Sequence, residues 1–104
     1  MLFRFMALFR WFARTDVDDL LSGLSRPLES LGLVINHEVS SPDQLYATDL
    51  EVCGASGVKV IVTWSDRRCG EILIEALSSE PLLRQSSRCR SLASQLQLDL
   101  PPLG

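Results

Sequence analysis

His37 is the single histidine of the chain, and Cys53, Cys69 and Cys89 are its three cysteines. A thiolate beside an imidazole can act as a nucleophile, and a tight His/Cys cluster can hold zinc. Neither pattern is formed here. The four residues fall in four separate segments with no CxxC spacing, so no metal site is expected and no nucleophile is singled out. Alternation places His37 with Leu33, Ile35 and Val39, which reads as a core or rim histidine. The cysteines read as small half-buried hydrophobes. Carboxylates are plentiful, yet no pair is set apart as acid and base. No Gly-rich phosphate loop, HExxH or GxSxG motif occurs. No catalytic residue and no cofactor is therefore assigned, and a non-enzymatic protein is expected.

The arginines are the other chemical candidates. Arg67 and Arg68 lie in the loop "SDRRCG", and Arg84 and Arg88 lie around the start of the last expected helix. Loop and helix N-terminus together could cradle a phosphate or another anion. The alternative is a solvated turn and a solvated helix face.

Bulk properties narrow the class. A chain of 104 residues suits one domain and can bury a core without staples. It is 46% hydrophobic and 22% charged, which reads as globular. Its net charge is −3, and the first fourteen residues hold three arginines and no acid. The remainder is acidic, which makes nucleic acid an unfavourable partner. An odd number of widely spaced thiols fits a reducing cytoplasm.

The expected elements follow from periodicity. "TDVDDLLSGLSRPLESLGL" repeats its apolar residues at helical spacing, with Thr15 and Asp18 at its start and Gly32 at its end. Pro27 predicts a kink or break in that helix. "LVINHEVS", "LYATDLEVC", "VKVIVTW" and "EILIEAL" read as strands. Pro42 suits the first central position of the turn "SPDQ". Short loops force antiparallel pairing. A last helix begins at Pro81 or only at Ser86–Ser87, and "LPPLG" reads as a loose tail. The expected fold is α+β: a four-stranded antiparallel meander with N- and C-terminal helices packed on one face, in the order α-β-β-β-β-α. Residues 1–14 form a separate basic amphipathic segment, 15–100 the domain and 101–104 the tail.

On this sheet Val58, Val60, Val62, Trp64, Ile72, Ile74 and Ala76 line the covered face. The second face then carries Ile61, Leu73 and Leu77 among charges, too apolar for a purely solvated surface. These three residues are the candidate interaction surface.

The opening "MLFRFMALFRWFAR" is too short and too interrupted by arginine to span a bilayer or to serve as a signal peptide. On a helix, Leu2, Phe5, Met6, Phe9 and Phe12 form one apolar stripe with arginines opposite. That pattern suits a membrane surface or a partner helix.

"SSEPLLRQSSRC" after a four-stranded run resembles short α+β proteins of unknown function from cyanobacteria. The resemblance implies an accessory protein, cytoplasmic or on the thylakoid side, and implies no activity. The order of elements is also close to that of double-stranded RNA-binding domains, but "EPLLRQSSRCR" lacks their basic helix start. Frataxin-like domains share the layout, but the strands here lack their iron-binding acids. The expected function is an interaction domain acting through protein–protein contacts, self-associating or with a protein partner. The alternatives are a cytoplasmic protein peripheral to a membrane, and an anion-binding module or enzyme using His37 and the Arg67/Arg68 loop.

Overall fold

The computed structural model describes residues 7–49, 58–78 and 87–103. They form an antiparallel sheet of β1 (Ala7–Arg14), β2 (Leu33–Ile35), β3 (Gln44–Asp49), β4 (Val58–Asp66) and β5 (Glu71–Ser78), with helices α1 (Leu20–Glu29) and α2 (Ser87–Asp99). The strand order is β1-β5-β4-β3-β2. The α+β class, the antiparallel meander of β2 to β5 and the two helices agree with the sequence reading. The strand count and the N-terminus do not.

The fifth strand is the main correction. Residues 7–14, expected to be helical, pair antiparallel with β5, Trp11 opposite Ile74 and Phe12 opposite Leu73. The segment satisfies both periods. Read at period 2, Phe9, Trp11 and Ala13 share one face and Arg10, Phe12 and Arg14 the other. Without β1, the outer edge of β5 would present unpaired N–H and C=O groups, and pairing those outweighs helix propensity. The order is therefore β-α-β-β-β-β-α.

Both helices cover one sheet face. Leu20, Leu24 and Leu28 of α1 and Leu92, Ala93 and Leu96 of α2 join one core with Val58, Val60, Val62, Ile72, Ile74 and Ala76. Trp64 packs at its margin. Helix α1 lies over β2 and β3, and α2 over β1 and β5. Burying the leucine, isoleucine and valine side chains among these stabilises the fold by roughly 1.5–3 kcal/mol each before chain entropy is subtracted.

Local chemistry sets the boundaries. Asp19, not Thr15, caps α1, its carboxylate accepting the Ser22 N–H at 3.2 Å. The Leu20 N–H donates to the Pro42 carbonyl at 2.9 Å, a long-range partner no local signal contains. Pro27 sits inside α1 without ending it. Strand β2 stops at Ile35 because the Asn36 carboxamide accepts the Glu38 N–H at 3.1 Å and turns the chain. His37 and Val39 are consequently exposed on that turn, not on the core face as alternation suggested.

The C-terminal residues are tied down rather than loose. The Trp11 indole N–H donates to the Leu100 carbonyl at 2.9 Å. The Leu103 N–H donates to the Phe12 carbonyl at 2.8 Å. Pro101, Pro102 and Leu103 thus run along the outer edge of β1, and prolines there discourage further strand addition.

Candidate functional site

The sheet face opposite the helices has no layer over it among the described residues. On its β1 side it carries a cross-strand pair, Phe12 on β1 opposite Leu73 on β5. Phe12 is 45% exposed, unusual for an aromatic side chain in the middle of a strand. Ile61 faces Tyr46 across the β3–β4 ladder, and Leu77 stands opposite Lys59. Ile61 is opposite Glu75, which places Leu73 and Leu77 as its two diagonal neighbours. The structure therefore brings Ile61, Leu73 and Leu77 together, as the alternation implied. It adds two residues that sequence reasoning missed, Phe12 and Tyr46. The signal for Phe12 was present: a period-2 reading of residues 7–14 puts it between Arg10 and Arg14.

Beside this cluster is a mostly apolar hollow of about 410 Å³, lined by Val39, Tyr46, Lys59, Ile61 and Leu77 among others. Charges flank the apolar band in columns. Arg10 and Arg14 lie on β1, and Glu71 and Glu75 lie opposite them on β5. Arg10 is ion-paired with Glu75 at 2.9 Å. The Glu71 carboxylate accepts the Ser65 hydroxyl at 3.0 Å.

Compared with known proteins, the chain matches no family model, no curated protein and no solved structure.

The arginine loop has a different character. Asp66 caps the 3-10 turn Arg67–Cys69 by accepting the Arg68 N–H at 3.1 Å. Arg67 is ion-paired with Asp43, donates to the Asp18 carbonyl at 3.2 Å and lies 5.3 Å from the Trp64 ring centroid. It thereby fastens the entry of α1 and the turn around Pro42 to the β4–β5 connection. A recess of about 340 Å³ beside it is lined by Asp16 and Asp18 as well as Arg67 and Arg68, so it presents both signs of charge. Arg84 lies outside the described residues, and Arg88 falls in the first turn of α2, where its side chain is also outside them.

Cys69 is exposed in the same turn. A hydrogen bond with Asp66 leads the causes that push its thiol pKa up, followed by lost solvation and the negative charge of Asp66 and Glu71; Arg14 opposes them. A thiol so placed is a poor nucleophile. Cys53 lies outside the described residues, and Cys89 is in α2 with its side chain outside them. Among the described residues, no three His, Cys, Asp or Glu side chains are grouped to hold a metal ion.

Of the expected N-terminal stripe, Leu2, Phe5 and Met6 lie outside the described residues. Phe9 and Phe12 project from opposite faces of β1, so over Ala7–Arg14 the stripe is not one surface. Among the described residues, no helix is long and apolar enough to cross a membrane.

Proposed function

We propose that this chain is a small non-enzymatic accessory domain of the cytoplasm, acting through protein–protein contacts, with the uncovered sheet face as its working surface. The observation that carries the reading is the Phe12–Leu73 pair. A half-exposed aromatic side chain paired across strands with a leucine, near an apolar hollow and flanked by charge at both ends, has the make-up of an interface: an apolar patch with polar margins. The arginines and acids on this face keep the free chain soluble while leaving the patch available. An exposed free thiol at Cys69 fits a reducing compartment. The membrane alternative rested on a helix that β1 replaces over Ala7–Arg14, and nothing in the described residues favours it.

The test is position-specific photo-crosslinking in the native cell. A photoreactive residue at position 73 is expected to yield crosslinked species heavier than the chain. The same residue at Ser94, exposed on α2, is expected to yield none. Equal yields from the two positions, or none from position 73, would remove the sheet face as the working surface.

A further inference from the structure

We infer that the occupant of the uncovered sheet face is a second copy of this chain, docked face to face about a two-fold axis parallel to the strands between β1 and β5. The inference rests on the reading of that face as an interaction surface. Charge selects the occupant. The β1 column is basic (Arg10, Arg14) and the adjacent β5 column is acidic (Glu71, Glu75), with Phe12 and Leu73 between the charges. A uniformly acidic partner, an anionic membrane or a nucleic acid would be repelled by Glu71 and Glu75, and a uniformly basic partner by Arg10 and Arg14. The chain itself carries both signs in register.

A half-turn about an axis parallel to the strands lays β1 of one copy over β5 of the other. Because Arg10, Phe12 and Arg14 are already opposite Glu75, Leu73 and Glu71 within the sheet, the same pairs meet again between copies. Opposite charges then face each other at both ends, and Phe12 meets Leu73 twice at the centre. An axis perpendicular to the strands would instead place Glu71 over Glu75, which like-charge repulsion disfavours. The isologous arrangement is also the commonest among oligomers.

The area is sufficient for a modest interface. Strands β1 and β5 of one copy lie over β5 and β1 of the other, about 260 Å² of flat sheet, and side-chain relief brings this to roughly 400 Å² per partner, the size of a weak, transient interface. Sheets stacked in this way sit about 10 Å apart, close enough for the two Phe12–Leu73 pairs to interdigitate.

The experiment uses charge reversal, read by sedimentation of the full chain. Wild type is expected to be a dimer at about 100 μM, above the micromolar dissociation constants of weak interfaces this size. Arg10→Glu alone and Glu75→Arg alone are each expected to be monomeric, since each dimer would pair like charges. An equimolar mixture of the two variants is expected to form a heterodimer. In that mixture the intermolecular pairs are restored while every intramolecular Arg10–Glu75 pair remains broken, so lost folding stability cannot mimic the result. Phe12→Ser is a second, uncharged disruption at an exposed position and should also give monomers. A monomeric wild type overturns the inference, as does a mixture that stays monomeric, or a dimer that survives both Phe12→Ser and the single reversals. Crosslinks from position 73 to other proteins, with a monomeric purified chain, would remove the second copy and leave the working surface standing.

Discussion

The Arg67 guanidinium lies over the Trp64 ring, 5.3 Å from its centroid, while the same side chain reaches Asp43 and the Asp18 carbonyl. One exposed side chain thus joins three segments distant in sequence. Arg67→Ala is expected to cost about 1 kcal/mol, because exposed ion pairs and exposed cation–π contacts contribute little individually. That corresponds to a drop of roughly 4–8 °C in Tm for a domain of this size. Arg67→Lys should recover less than half, since an ammonium cannot fork and stack together. Thermal melts at low and high salt check this: salt should narrow the wild-type advantage without abolishing it. An Arg67→Ala melt identical to wild type would show the corner to be held by its backbone alone.

Trp11 and the C-terminal residues form a second long-range tie. Trp11→Phe keeps a buried ring but leaves the Leu100 carbonyl without its donor. The expected loss is about 1–3 kcal/mol, read as a lower urea midpoint with an unchanged slope. The Leu103 amide, although next to the end of the chain, should exchange slowly with deuterium because the Phe12 carbonyl accepts it. Exchange at the random-coil rate would contradict the strap.

Gly70 should not tolerate a side chain. Its φ is +75°, and an added Cβ would lie 2.3 Å from the Thr15 carbonyl oxygen. The Gly70 carbonyl also accepts the Thr15 N–H at 2.8 Å, so the chain cannot simply move away. Gly70→Ala combines left-handed strain with a backbone clash, and a loss of about 2–4 kcal/mol is expected by chemical denaturation. A change below about 0.5 kcal/mol, typical of an unconstrained surface site, would show that this junction is soft.

The Cys69 thiol should react slowly. Its pKa is raised, first by the hydrogen bond to Asp66, so at any mildly alkaline pH less thiolate is present than for a free cysteine. The sign also bears on folding: the unfolded chain releases this proton at lower pH, so stability falls as pH rises through the alkaline range. Asp66→Asn removes the negative charge and should speed alkylation at pH 8, followed by mass spectrometry of the peptide containing Cys69. A rate that falls or stays constant in Asp66→Asn would remove Asp66 as the cause.

Strands β3 to β5 were legible because local signals agreed. Strict alternation, β-branched residues in "VKVIVTW" and short polar loops leave one antiparallel arrangement, and burying Val58, Val60 and Val62 against Ile72 and Ile74 rewards that register alone. The Ile61–Leu73–Leu77 cluster follows from the same parity. A helix over residues 7–14 is not formed although the pattern allows one, because a largely apolar run fits both periods. Its state was decided by a distant fact, the free hydrogen-bonding edge of β5. A loop arginine such as Arg67 announces its charge in the sequence, but not that Asp43 and Trp64 will be folded against it.

The sequence by itself determined the class, the meander of four strands, the two helices and that Ile61, Leu73 and Leu77 face away from them. Those properties rest on periodicity and turn chemistry, which act within a few residues. Only the tertiary structure decided that β1 is a strand, that α1 begins at Leu20 beneath the Pro42 carbonyl, and that His37 is exposed. It also placed Phe12 opposite Leu73 on the sheet face that no described residue covers. The strand, the start of α1 and the Phe12–Leu73 pair depend on partners tens of residues away, whose hydrogen bonds and burial outweigh weak local preferences, while His37 is exposed by the local turn in which the Asn36 carboxamide accepts the Glu38 N–H.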